Sequence, residues 1–233
     1  MSRKYKFHKP DAAYFISFAT VEWVDLFTRE IYFGILADSI QYCRKNKGLE
    51  LFAYCFMPNH VHMLFRSTLG NPSGLIRDIK SYTSKQLINA IKENPRESRK
   101  EYLLAMFKKA AIEKSNGKDY QLWRHDNQPI EVFSSRFIKQ KVNYIHMNPV
   151  NEGLVTCAVY WKYSSARNYA GDQTVLEIDL MDSIEGWLLV EWHERDARAN
   201  WGFVSITNLG ENTIAVRLSF IKFYSIFFNN LRI

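Results

Sequence analysis

Apolar and polar positions change their period several times along this chain of 233 residues, and each change marks an element. Residues 13–21 (AYFISFATV) are rich in aromatic and β-branched side chains and predict a strand. A turn over 25–29 leads into 30–46, where Ile31, Ile35, Leu36, Ile40 and Cys43 recur at helical spacing. That helix should lie on a sheet and stop at Lys47-Gly48. Residues 50–57 form a second predicted strand, Pro58-Asn59 a short connection, and 60–66 (HVHMLFR) a third strand hairpinned to it. A long helix follows over 73–92, closed by Asn94-Pro95. The segment 96–118 is charged and weakly periodic, helical at first and loop-like near Ser115-Asn116-Gly117. Strand pieces are expected at 120–123 and 130–133. Ser134 then caps a helix over 136–147, which Pro149 should end. The order β-α-β-β-α-β-α makes this an α+β chain. Its first six elements fit the split βαβ sandwich of ferredoxin-like folds, with one further helix added at the C-terminal end. The character changes at about residue 183, which divides the chain into 1–182 and a C-terminal extension, 183–233, that carries no chemistry-bearing motif.

Composition changes this picture in three ways. Hydrophobic residues at 47% supply a core, and aromatic residues at 15% thicken it or offer faces for nucleobases. Net charge is +7, and residues 77–124 hold twelve Lys or Arg against six Asp or Glu, so most of the surplus sits in one stretch. Such a balance suits a polyanionic partner. The three cysteines (Cys43, Cys55, Cys157) are odd in number and widely spaced, which fits a reduced, cytoplasmic protein without a cysteine-based zinc site. The basic start MSRKYKFHKP predicts no signal peptide, and Arg217 and Lys222 interrupt the greasiest stretch, so no membrane partner is expected.

Two short blocks carry chemistry. In His60-Val61-His62 a strand would point both imidazoles to one face and Val61 to the core, giving one divalent cation two nitrogens. In Tyr144-Ile145-His146-Met147-Asn148 a helix would place Tyr144 and Asn148 on one face, a turn apart. Tyr144 offers a phenol able to attack phosphorus, and Asn148 a hard carbonyl oxygen. Taken singly, each block has an ordinary structural reading. His146 falls on a different helix face and receives no catalytic role.

Together, Met57-Pro58-Asn59-His60-Val61-His62 and Tyr144-Ile145-His146-Met147-Asn148-Pro149-Val150 resemble the two signature blocks of REP-associated tyrosine transposases, members of the HUH superfamily. Glu152-Gly153-Leu154-Val155 and Tyr163-Ser164-Ser165-Ala166 resemble the family's continuation, so the resemblance spans roughly 4–182. It implies that His60 and His62 bind Mg2+ or Mn2+, that Asn148 is a third, polar ligand, and that Tyr144 is the nucleophile. It further implies cleavage of single-stranded or hairpin DNA through a 5′-phosphotyrosine and rejoining without a nucleotide cofactor, by a monomer or homodimer. Arg77, Lys80, Lys85, Lys108, Lys109 and Arg124, with Lys114, are candidates for phosphate contacts, and Tyr82, Tyr120 and Trp123 for stacking on bases. Two other readings stand beside this one: a non-catalytic nucleic-acid-binding protein, such as a domesticated transposase, and a metal-dependent phosphodiesterase that uses water. An RNA-recognition sheet would expose aromatic residues on its central strands.

Overall fold

The computed structural model describes residues 7–113, 117 and 119–181. The expected extension 183–233 and Lys114 lie outside the described residues. The elements run β1 (Ala13–Ala19), α1 (Glu30–Asn46), β2 (Leu49–Phe56), β3 (His60–Ser67), α2 (Pro72–Glu93), α3 (Lys100–Glu113), β4 (Ile130–Val132), α4 (Ser135–Asn151) and α5 (Ala166–Tyr169). The four strands form one antiparallel sheet in the order β2-β3-β1-β4. β3 therefore lies between β1 and β2, as the split βαβ reading expects.

Alternation along the strands sorts side chains to two faces. Tyr14, Ile16 and Phe18 of β1 and Val61, Met63 and Phe65 of β3 join Leu36, Ile40, Ile76 and Ile79 of α1 and α2 in the larger core. Ala13, Phe15 and Leu64 face the other way, onto Ile138, Val142 and Ile145 of α4. β2 switches parity midway: Leu51 faces the first layer, and Phe52 and Ala53 both face the second. A register shift between Leu51 and Ala53 is the cause, because one extra residue turns every later side chain over. The sheet is thus covered on both sides. Phe15 and Phe18 on the central strand β1 are buried, which removes the exposed aromatic surface that an RNA-recognition sheet would need.

Most predicted boundaries hold within a residue or two, and the differences have local causes. Two helices separate β3 from β4: α3 is the helical start expected of 96–118, and Glu97 anchors the turn before it. Its buried carboxylate accepts from Arg29 Nε at 3.0 Å, Arg99 Nε at 3.1 Å and Tyr32 Oη at 3.0 Å. Residues 120–123 form no strand; Trp123 makes a single bridge to Thr20. Pro149 does not end α4, which continues to Asn151 with the proline inside. The helix stops where Glu152 N reaches Asn148 O at 3.0 Å and Gly153 turns to φ 71.

The outer edge of β2 is occupied by irregular chain. Phe56 N donates to Tyr163 O, Ser165 N to Tyr54 O and Asp179 N to Leu51 O, while Asp179 Oδ2 accepts from Leu51 N at 2.7 Å. Arg44 holds Asp179 from the other side at 2.9 Å. Among the described residues no helix is long and apolar enough to cross a membrane.

Candidate active site

His60 and His62 both lie on the α4 face of β3, opposite Ala19 and Ser17 of β1. Their Nε2 atoms stand 2.9 Å apart. The side-chain oxygen of Asn59 accepts from His60 Nδ1 at 2.6 Å, which places that ring's proton on Nδ1 and leaves Nε2 with a bare lone pair. Two lone pairs then share at most one proton, and the buried Nδ1 of His62 has no partner. Burial pushes the pKa of His60 down, with Asn148 opposing. Burial, reinforced by the neighbouring His60, drives His62 down to about 3. Both rings are therefore neutral near pH 7, the form that ligates metals.

α4 brings the other groups. Ile138, Val142 and Ile145 anchor it to the sheet, and the stripe beside that seam carries Lys141, Tyr144 and Asn148 at helical spacing. Asn148 is buried, and its side chain interacts with both imidazoles. Its Nδ2 donates to Tyr144 O at 3.0 Å, so the carbonyl oxygen is the atom left for the histidines. Tyr144 is 46% exposed, with its ring centroid 5.3 Å from that of His62 and 5.7 Å from that of Phe15. The four residues read from the sequence as ligands and nucleophile thus meet within one chain.

The donor set fits a divalent cation. Two ligands at right angles on one ion, each at about 2.1 Å, stand about 3 Å apart, which matches the spacing of the imidazole nitrogens. Among the described residues no cluster of three or more His, Cys, Asp or Glu exists, so the remaining coordination would fall to the Asn148 amide, water or a substrate. Such neutral ligands would leave the positive charge of the ion undiminished for an anionic group.

Two neighbours escaped the sequence reading. Lys141 Nζ lies 4.6 Å from the Phe15 ring centroid, 5.3 Å from that of Phe137 and 5.8 Å from that of Tyr144. Trp23 is 49% exposed and 5.4 Å from His60, ring to ring. Glu22 and Trp23 both have φ 53, a left-handed conformation that costs non-glycine residues free energy. The loop that holds them is tied to the turn before β3: Thr20 Oγ1 donates to Val24 O and Asn59 O, Phe27 N to Pro58 O, and Asn59 Nδ2 to Asp25 Oδ1.

The basic candidates scatter. Arg124 reaches the site's rim, with its guanidinium carbon 5.7 Å from the Trp23 ring centroid. Lys80 is engaged by Arg124 O and Asn127 Oδ1, each at 2.6 Å, and Arg77 pairs with Asp78 at 3.2 Å. Lys85 is exposed on α2, and Lys108 and Lys109 on α3, in the layer across the sheet from the histidines. Trp123 is core: its Nε1 donates to Thr83 and its ring stacks on Phe27. Tyr120 is partly buried against the core under Lys92, and Tyr82 is exposed. His146 is fully buried, Nε2 2.8 Å from Ser165 Oγ, where it joins α4 to the chain covering β2.

Fold and site together define a class: a split βαβ protein with a histidine pair on the sheet facing a helical tyrosine. Residues 12–113 match the family described as "Transposase IS200 like", in agreement with the resemblance carried by the two sequence blocks. That match contains His60 and His62 and ends before Tyr144. A solved REP-associated tyrosine transposase, bound to a REP hairpin, is 16% identical and aligns over 78% of this chain and 96% of its own, with a TM-score of 0.52. The fold is that of this neighbour. A second structure, of a transposase-type protein from Deinococcus radiodurans R1, is 20% identical over 63% of this chain and 97% of its own, with a TM-score of 0.36. No curated protein matches the chain.

Proposed function

We propose that this protein is a divalent-metal-dependent, single-tyrosine nuclease and strand transferase acting on single-stranded or hairpin DNA. One observation carries the reading: His60, His62 and Asn148 converge on a point beside Tyr144 in a single chain. The similarity to a transposase bound to a REP hairpin supports DNA as the partner. His60, His62 and Asn148 would hold Mg2+ or Mn2+, which supplies Lewis acidity toward a phosphate oxygen. Asn59 fixes the His60 tautomer, and Asn148 is oriented by its bond to Tyr144 O. Tyr144 attacks the phosphorus in line and retains the 5′-phosphate, so the phosphodiester energy is conserved for rejoining to a 3′-hydroxyl. Trp23 and Arg124 offer a stacking face and a phosphate contact at the site's mouth.

The test is incubation with labelled hairpin DNA and Mn2+, read on a denaturing gel. A protease-sensitive shifted band is expected, and Tyr144→Phe should reduce it at least ~10³-fold, since the nucleophile itself is lost. Undiminished cleavage by Tyr144→Phe would point instead to a phosphodiesterase using water. Hairpin binding without any cleavage would point to a non-catalytic binder.

A further inference from the structure

Lys141 has no assigned role in the reading above, and its surroundings are unusual for a lysine. Its ammonium group sits among the rings of Phe15, Phe137 and Tyr144. Among the described residues no carboxylate forms an ion pair with it, and burial is the cause that lowers its pKa from the ordinary lysine value. Its charge is also felt at His62, whose protonation it opposes. A cation drawn partly out of water with no counter-ion is in an unfavourable state that an arriving anion would relieve. Lys141, Tyr144 and Asn148 follow one stripe of α4, so that anion would come to rest beside the nucleophile and the histidine pair.

We propose that Lys141 is a catalytic residue that donates a hydrogen bond to a non-bridging oxygen of the scissile phosphate. The inference rests on the strand-transfer reading. In the step it serves, a bond forms between Tyr144 Oη and phosphorus while the bond from phosphorus to the 3′-oxygen breaks. The phenolic proton is lost to solvent, and the departing oxygen takes up a proton. Negative charge on the non-bridging oxygens rises in the transition state, and a fixed ammonium group stabilises it there. Lysine contacts phosphate as a point charge, which the tolerant aromatic surroundings permit.

Two variants separate this role from packing. Lys141→Met keeps the apolar stem and removes the charge; Lys141→Arg keeps the charge. With hairpin DNA and Mn2+, Lys141→Met should slow adduct formation about 10²–10³-fold, the usual cost of one such donor, and Lys141→Arg should recover at least about tenfold of it. Lys141→Met should lower hairpin affinity measurably but far less than it lowers the rate, because other phosphate contacts dominate binding. A contact-specific measurement is a binding cycle in the Tyr144→Phe background, using oligonucleotides with a neutral methylphosphonate at the scissile position or one position away. The Lys141→Met effect should vanish with the first and persist with the second. Adduct formation by Lys141→Met at the wild-type rate, or additive effects in the binding cycle, overturns the proposal. Failure of wild-type protein to form any adduct sinks the strand-transfer reading instead, and the binding cycle then judges the phosphate contact by itself.

Discussion

On the α1–α2 side of the sheet, β3 presents Val61, Met63 and Phe65; on the α4 side the same strand presents His60, His62 and Leu64. The first set meets only apolar partners and is fully buried. The second lies in a smaller layer that also buries His146, Asn148, Ser164 and Ser165. One strand thus serves the apolar core with its odd positions and the candidate site with its even ones. The α4 layer tolerates a nitrogen without a partner on His62 and two neutral imidazoles 2.9 Å apart, Nε2 to Nε2. Unsatisfied groups of this kind persist where function requires them, and the larger apolar layer sustains the fold that holds them.

Substitutions along β3 should break the two faces apart. Phe65→Ala should cost about 3–5 kcal/mol, since it empties a fully buried aromatic site, and chemical denaturation would show it as a lower midpoint at unchanged slope. On the other face, His62→Leu should do the reverse. It removes an unpartnered buried polar atom and should raise the stability of the metal-free protein by about 1 kcal/mol. Added Mn2+ should stabilise the wild-type protein in a thermal melt, and the same change should abolish that stabilisation.

Acid sharpens the contrast in overlapping windows that open at different pH. His146, buried on the α4 side, has its pKa pushed down by burial from an ordinary 6.5 to about 3. The unfolded chain takes up that proton more readily than the folded one, so stability should fall as pH drops from about 6.5 toward 3. Glu97, between α2 and α3, is opposite in kind. Burial alone would raise its carboxyl, but the hydrogen bonds from Arg99, Arg29 and Tyr32 outweigh this and hold it at about 2. A depressed carboxyl stabilises fully above its unfolded value of 4.5 and loses that contribution as pH falls through 4.5 toward 2. Melting Glu97→Gln and wild type at pH 7, 4 and 3 should show the variant less stable at pH 7 and the difference shrinking at pH 3.

The histidine pair was legible because a strand's period is two and HVH leaves no other way to bury Val61. Tyr144 and Asn148 were legible because a helix repeats faces every fourth residue. Lys141 was not, since its partners Phe15 and Phe137 become neighbours only when α4 lies across β1. Trp23 was not, since nothing local in Val21-Glu22-Trp23 signals two left-handed residues. The reach of α4 past Pro149 was missed because a proline near a helix end usually stops it.

The chain laid along the rim of β2 has a consequence for solubility. Residues 163–165 and 179 take up hydrogen-bonding groups of β2 that would otherwise face outward. A bare strand rim invites a neighbouring molecule's strand to add on, the first step toward fibres and precipitates. Here the sequence that completes the sheet also closes it to intruders, so a polypeptide ending soon after α4 would keep His60, His62, Tyr144 and Asn148 and still be prone to clump.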